Sequence, residues 1–284
     1  MVTPFHQDGS LDLTGAANLA SHLVDAGCDG LVVSGTTGES PTTSDAEKEQ
    51  LVRAVVEAVG DRAHVVAGVG TYDTHHTIDL ARHAEKAGAS GLLVVTPYYS
   101  RPTQEGLVQH FTAAADATAL PVMLYDIPPR SIVPIQTDTL LRLAEHERIV
   151  AVKDAKGDPF ATSEVIARTG LAYYCGDDAL NLPMLSVGSV GVVSVVAHVA
   201  AAQYADMIRA VDAGDLATAL RIHSQLIPAV RGIMMSGEPG ATMAKAAVQV
   251  AGVIASRTMR LPLVTATDGH VDALRAALAE AGLV

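Results

Sequence analysis

Ile149-Val150-Ala151-Val152-Lys153-Asp154-Ala155 is the stretch on which the reading of the fold turns. Four apolar residues run straight into a lysine, and Asp-Ala-Lys-Gly turn chemistry follows at 154–157. A short apolar run closed by turn residues is the pattern of a parallel strand buried on both faces. Side chains alternate along a strand, so Ile149, Ala151 and Lys153 share one face while Val150 and Val152 share the other. If the first face lines a barrel, the Lys153 ammonium sits at the strand's C-terminal end in a largely apolar enclosure. A lysine so placed can instead end the strand in solvent or pair with Asp154, because charged residues are seldom fully buried. The rest of the chain decides between these readings.

Seven more apolar, β-branched runs accompany it: Val2–Phe5, Leu31–Ser34, His64–Val69, Leu92–Thr96, Pro121–Tyr125, Leu171–Cys175 and Val190–Val195. Helical patterns lie between them, and Gly27, Gly60, Gly88, Gly170, Gly188 and Gly214 stand where C-caps are expected. Ser44-Asp45-Ala46-Glu47 is a capping box opening a helix that runs to Val59. Eight strands alternating with helices predict an α/β fold, a (β/α)8 TIM barrel, with a doubly wound open sheet as the second choice. The barrel is expected to occupy residues 1–214. From Asp215 onward only helical patterns remain (Leu216–Met235, Ala241–Ser256, Asp268–Ala281), which predicts a C-terminal helical domain over 215–284. The first strand begins almost at Met1, so either the native N-terminus lies upstream or that edge of the barrel is frayed.

The chain has 284 residues, 49% of them hydrophobic, with no Trp and a formal net charge of −12. That charge argues against nucleic acid or an anionic membrane as a partner, and any anionic substrate must be held by local cations. Cys28 and Cys175 form no CxxC pair, and no basic region followed by an apolar stretch opens the chain. Free thiols and the lack of a signal peptide predict a cytoplasmic protein. Asn181–Tyr204 carries no Asp, Glu, Lys or Arg but contains Pro183, Gly188, Gly191 and His198, which favours helix–turn–strand–turn–helix over a membrane span.

The active site of a (β/α)8 barrel lies at the C-terminal ends of its strands. There the sequence places Gly35-Thr36-Thr37-Gly38-Glu39-Ser40, Thr96-Pro97-Tyr98-Tyr99-Ser100-Arg101-Pro102, Tyr125-Asp126-Ile127-Pro128-Pro129-Arg130, Lys153, and Gly176-Asp177-Asp178-Ala179. Hydroxyls, phenols, one arginine and one lysine thus converge, an inventory suited to a carbonyl substrate held as a Schiff base. An unperturbed lysine is neutral in only about four molecules in ten thousand at pH 7, so a nucleophilic lysine must be desolvated. A phenol can give and take a proton and relay it through a neighbouring hydroxyl, which points to Tyr125 and Thr37. Taken singly, Gly-Thr-Thr-Gly also fits an ordinary turn, Tyr-Tyr a packed pair, and Arg130 a surface residue. No GxGxxG or GxxxxGK phosphate loop is present, and the eleven histidines show no HExxH spacing, so no metal is expected and His75-His76 reads as a solvated helix start.

In this order and at these separations, GTTGES, TPYYSRP, LYDIPPR, VKDA and GDDA resemble the dihydrodipicolinate synthase family. The resemblance covers the whole barrel and is specific as a set. It implies an enzyme of lysine and diaminopimelate biosynthesis, a lyase in which an active-site lysine forms an imine with pyruvate. The derived enamine attacks L-aspartate 4-semialdehyde and the adduct cyclises, with no metal or organic cofactor. It further implies that Lys153 is the nucleophile and Tyr125 the general acid/base, with Thr37 linking it to Tyr99 of a neighbouring subunit. The amides of Thr36 and Thr37 would hold the pyruvate carboxylate, Arg130 the carboxylate of the semialdehyde, and Gly176 and Val193 would line the site through their backbones. A homotetramer built as a dimer of dimers follows, with Tyr99 crossing the tight interface.

The same superfamily contains N-acetylneuraminate lyase and 2-keto-3-deoxy sugar-acid aldolases, and a catalytically silent ligand-binding barrel is the alternative of another class. Thr36-Thr37, Tyr99 and Arg130 together favour the synthase. Asp126 stands where the family usually has Asn, and Pro129-Arg130-Ser131 replaces Gly-Arg-Thr. At the positions corresponding to the lysine-binding cleft of feedback-inhibited members stand Asp45, Lys48, Tyr72 and His76, with Ser40 and Tyr98 retained. Lys48 would repel a lysine ligand, so weak or absent feedback inhibition is expected.

Overall fold

A computed structural model describes all 284 residues. It contains seven parallel strands: β1 (Gly30–Val33), β2 (His64–Gly68), β3 (Gly91–Val95), β4 (Val122–Asp126), β5 (Ile149–Asp154), β6 (Ala172–Cys175) and β7 (Gly191–Val192). Their order in the sheet is their order in the chain. A doubly wound sheet reverses its strand order at a switch point, whereas strands added always on the same side are the order of a barrel. The α/β fold is therefore that of the (β/α)8 barrels.

The helices are α1 (Leu13–Asp25), α2 (Asp45–Val59), α3 (Thr74–Lys86), α4 (Gln104–Asp116), the single turn α5 (Pro128–Ser131), α6 (Thr137–Leu143), α7 (Pro159–Arg168), α8 (Asn181–Ser186) and α9 (Ala197–Asp212). Three more follow, α10 (Leu216–Met234), α11 (Gly240–Val250) and α12 (Asp268–Glu280). The expected capping box forms: Ser44 accepts from the Glu47 amide while the Glu47 carboxylate accepts from the Ser44 amide. The uncharged segment resolves into α8, β7 and the start of α9, and no helix is long and apolar enough to cross a membrane.

The chain packs as two compact units. One comprises Val66–Val193. Its core is built from Leu92, Val94, Leu107, Phe111, Leu124, Val152 and Tyr173, all essentially buried. Full burial of each such side chain stabilises the fold by roughly 1.5–3 kcal/mol. The other comprises Met1–Val65 and Ser194–Val284. There α1 packs on α2, and α10 packs on α9 and α12, with Ile222, Leu226, Ile233, Leu274 and Leu278 buried.

Four expectations need correction. Val2–Phe5 is not a ladder strand; it makes only a bridge from Phe5 to Leu11. Its backbone is engaged differently: the Val2 amide donates to His198 Nε2 at 2.9 Å and Pro4 has no N–H to give. Burial holds His198 neutral, with its pKa lowered to about 3, so Nε2 is free to accept. The last strand shortens to Gly191–Val192, although Val190 and Val193 still donate to Tyr173 and Cys175 carbonyls. In β5 the register against β4 slips between Val122 and Met123, which leaves Val150 out of step and 42% exposed. Alternation therefore runs unbroken only from Ala151. Finally, Thr169, not Gly170, caps α7, whereas Gly60 caps α2 as expected, in a right-handed conformation, and Gly27, Gly88, Gly188 and Gly214 take positive φ.

Candidate active site

Lys153 is the fifth residue of β5 and pairs in register with Tyr125 of β4 on one side and Tyr174 of β6 on the other. Its side chain is 8% exposed, and its Nζ lies 4.2 Å from the centroid of the Tyr125 ring. Tyr125 is itself buried. The ammonium has no carboxylate partner; the nearest carboxylate in sequence, Asp154, points across the strand and spends its oxygens elsewhere. Asp154 Oδ1 accepts from the Lys156 and Gly157 amides, and Oδ2 accepts from Thr162 Oγ1 at 2.8 Å. The pairing of Lys153 with Asp154 that the sequence left open does not occur.

Gly176 acquires a physical reason. A Cβ built there would lie 2.9 Å from Lys153 Cε and 3.0 Å from its Cγ, so any side chain would displace the stem that aims the amine. The Gly176 amide donates to the Asp154 carbonyl at 2.7 Å and the Val193 amide to the Cys175 carbonyl at 2.7 Å, which sets both residues at the ends of β6 and β7.

Behind Lys153 and Tyr125, on the opposite face of the strands, Asp126 follows Tyr125 and is 1% exposed. Its Oδ1 accepts from the Ile135 amide at 3.2 Å, closing the loop that carries Arg130, and its Oδ2 lies 3.6 Å from Lys156 Nζ. Burial pushes the Asp126 carboxyl up to about 6, against the opposing pull of Lys156. Arg130 sits on α5 with its side chain exposed and without an ion-pair partner. Tyr99 is 89% exposed with φ of 71°, so its own chain does not bring it to Lys153.

Thr36 and Thr37 belong to the other unit, in the turn after β1. The Gly38, Glu39 and Ser40 amides are used inside that turn, donating to Gly35, Thr36 and Gly35 carbonyls. The Thr36 and Thr37 amides are not, which leaves two successive N–H donors available to an anion. Sequence reasoning missed what braces this turn: Glu39, Lys245 and Arg260, which are 206 and 221 residues apart from Glu39 in sequence and carry no periodic signal. No group of three or more His, Cys, Asp or Glu side chains is placed to hold a metal ion.

Residues 1–281 match the model of the dihydrodipicolinate synthetase family. The chain is 65% identical over 283 residues to a 4-hydroxy-tetrahydrodipicolinate synthase of Kineococcus radiotolerans, covering 100% of this chain and 92% of that protein. Among solved structures it is similar to a dihydrodipicolinate synthase of Bacillus anthracis, with a TM-score of 0.94, 43% identity, and coverage of 98% of this chain and 95% of that one. It is likewise similar to the lysine-bound enzyme of Cyanidioschyzon merolae, with a TM-score of 0.96, 38% identity, and coverage of 100% and 97%. The chain belongs to the dihydrodipicolinate synthetase family.

Proposed function

We propose that this chain is a Schiff-base-forming lyase that condenses pyruvate with L-aspartate 4-semialdehyde, acting as a 4-hydroxy-tetrahydrodipicolinate synthase in diaminopimelate and lysine biosynthesis. The observation that carries the reading is the buried Lys153 amine, free of any carboxylate and 4.2 Å above the Tyr125 ring.

The neutral amine attacks the keto carbon of pyruvate. Tyr125 gives a proton to the departing oxygen, which leaves as water, and an imine remains. Loss of a methyl proton gives an enamine, whose carbon attacks the aldehyde carbon of the second substrate; the aldehyde oxygen takes up a proton and becomes the hydroxyl. The substrate's own amino group then adds to the imine carbon, closing the ring and expelling Lys153. The chemistry draws on no metal or organic cofactor, because the protonated imine is itself the electron sink.

In this reading the Thr36 and Thr37 amides receive the pyruvate carboxylate, and Arg130, exposed and unpaired, receives that of the semialdehyde with its planar fork of donors. Gly176 and Val193 contribute backbone. Thr37 relays the proton between Tyr125 and Tyr99, and the exposure of Tyr99 on its own chain suits delivery to a neighbouring subunit of a homotetramer. We place the reaction on the barrel of residues 1–214, with residues 215–284 as a helical extension, and the protein in the cytoplasm.

Turnover of pyruvate with aspartate semialdehyde, measured beside cleavage of N-acetylneuraminate and 2-keto-3-deoxy sugar acids, tests the assignment. The synthase reading predicts condensation only; preferential cleavage of a sugar acid, or no turnover of any of them, overturns it.

A further inference from the structure

The turn Gly35–Ser40 is bounded by two residues with side chains in the left-handed region, Ser34 at φ of 57° and Glu39 at φ of 55°. Such conformations persist only where the surroundings enforce them. At Glu39 the enforcing contacts come from the far end of the chain. Glu39 is 1% exposed, and its Oε1 forms an ion pair with Lys245 Nζ of α11, a side chain with no exposure at all. Its Oε2 accepts from the Arg260 amide at 3.0 Å. Lys245 Nζ also donates to the Thr258 carbonyl at 2.9 Å and lies 4.3 Å from the Phe5 ring centroid.

Arg260 completes the brace. Its guanidinium lies over the same ring at 4.2 Å, donates to the Thr42 carbonyl at 2.9 Å, and grips Glu47 through two bonds of 2.9 and 2.6 Å. That hydrogen bonding pulls the Glu47 carboxyl down to about 2, and the same carboxylate caps α2. The turn is therefore held at Glu39 and at Thr42, and Thr3 Oγ1 adds a bond of 2.6 Å to the Gly38 carbonyl. A buried ion pair adds little net stability over a well-packed apolar pair, but losing one partner is costly, so the two side chains stay together.

We infer that Glu39 and Lys245 are positioning residues: their buried ion pair holds the turn so that the unspent Thr36 and Thr37 amides face the carboxylate of the first substrate. This rests on the reading of those amides given under Proposed function. The C-terminal segment is then a working part of the substrate site, reaching it through Glu39 rather than by touching substrate.

The test compares the parent with Glu39→Gln/Lys245→Met, which leaves no unpaired buried charge, and with Glu39→Asp, which keeps the charge but shortens its reach. The full-length proteins are assayed for KM of each substrate, kcat, melting temperature, and borohydride trapping of pyruvate at saturation. The inference predicts that KM for pyruvate rises about tenfold or more in both variants, with KM for the semialdehyde within about twofold and trapping at saturation still complete. If the double variant does not fold, the Glu39→Asp result decides. An unchanged pyruvate KM, or equal rises for both substrates, overturns the inference and leaves the pair a purely structural contact. Absence of trapping in the parent would instead strike the proposed function, so the two failures are distinguishable.

Discussion

Lys153 and Lys245 are both buried, each with its Nζ just over 4 Å from an aromatic ring, yet their surroundings are opposite. Lys245 has a carboxylate, a carbonyl and a ring, so its charge is neutralised where it lies. Burial lowers its pKa while Glu39 pulls the other way. Lys153 has the ring of Tyr125 and no carboxylate, and Asp154 beside it is engaged with Thr162 and two amides. On the proposed reading, the difference separates a lysine that fixes geometry from a lysine left free to react. Burial is common to both lysines; the absence of a carboxylate partner is what sets Lys153 apart.

Substitutions at the two sites should break in different ways. Lys153→Met is expected to lower kcat by about 10⁴-fold or more and to abolish trapping of pyruvate, with little change in melting temperature, since no ion pair is lost. Lys245→Met should do the reverse. It strands the Glu39 carboxylate in the interior and destabilises the fold by about 3–5 kcal/mol, read by chemical denaturation, while folded molecules still trap pyruvate.

A smaller effect sharpens the contrast at Asp126, a buried acid with its carboxyl raised to about 6. The unfolded chain releases this proton near pH 4 and the folded chain near pH 6, so the acid weakens the fold progressively as pH rises through that window. The penalty, about 3 kcal/mol from a shift of roughly two units, is fully present above pH 6. Asp126→Asn keeps the acceptor for the Ile135 amide, and its stability measured from pH 4 to 7 should lose that decline. Arg130→Ala is expected to raise KM for the semialdehyde about 10- to 100-fold while pyruvate trapping is unchanged, if the exposed guanidinium takes the proposed role of binding the second substrate's carboxylate. An equal loss in both assays contradicts the assigned role.

A third lysine supplies the smallest effect. Lys48 is largely buried, donates to the Thr43 carbonyl, and lies 4.0 Å from Asp45. By the family resemblance this position corresponds to the lysine-binding cleft of feedback-inhibited members; we propose that the Lys48 charge repels that ligand, so millimolar lysine is expected to leave activity unchanged, and half-inhibition at that concentration would refute this.

The Lys153 side of the comparison was legible in the sequence because it is local. An apolar run ending in lysine at the C-terminal end of a parallel strand follows from periodicity. The Lys245 side was not legible. Glu39 reads as one residue of a turn and Lys245 as one residue of a helix, and nothing in either neighbourhood signals a partner more than 200 residues away. Val2–Phe5 misled for a related reason. Its β-branched pattern is that of a strand, but the histidine that takes the Val2 amide lies 196 residues further on. Gly176 is marked in the sequence by resemblance alone; the physical reason for a glycine, the Lys153 stem that a Cβ would meet, is visible only in the fold.

The most direct test of the account is to incubate the protein with pyruvate, reduce with borohydride, and map the modified peptide by mass spectrometry. The account predicts a single adduct on Lys153 and none on Lys245, Lys156 or Lys48. An adduct on any other lysine, or no adduct at saturating pyruvate, would contradict it.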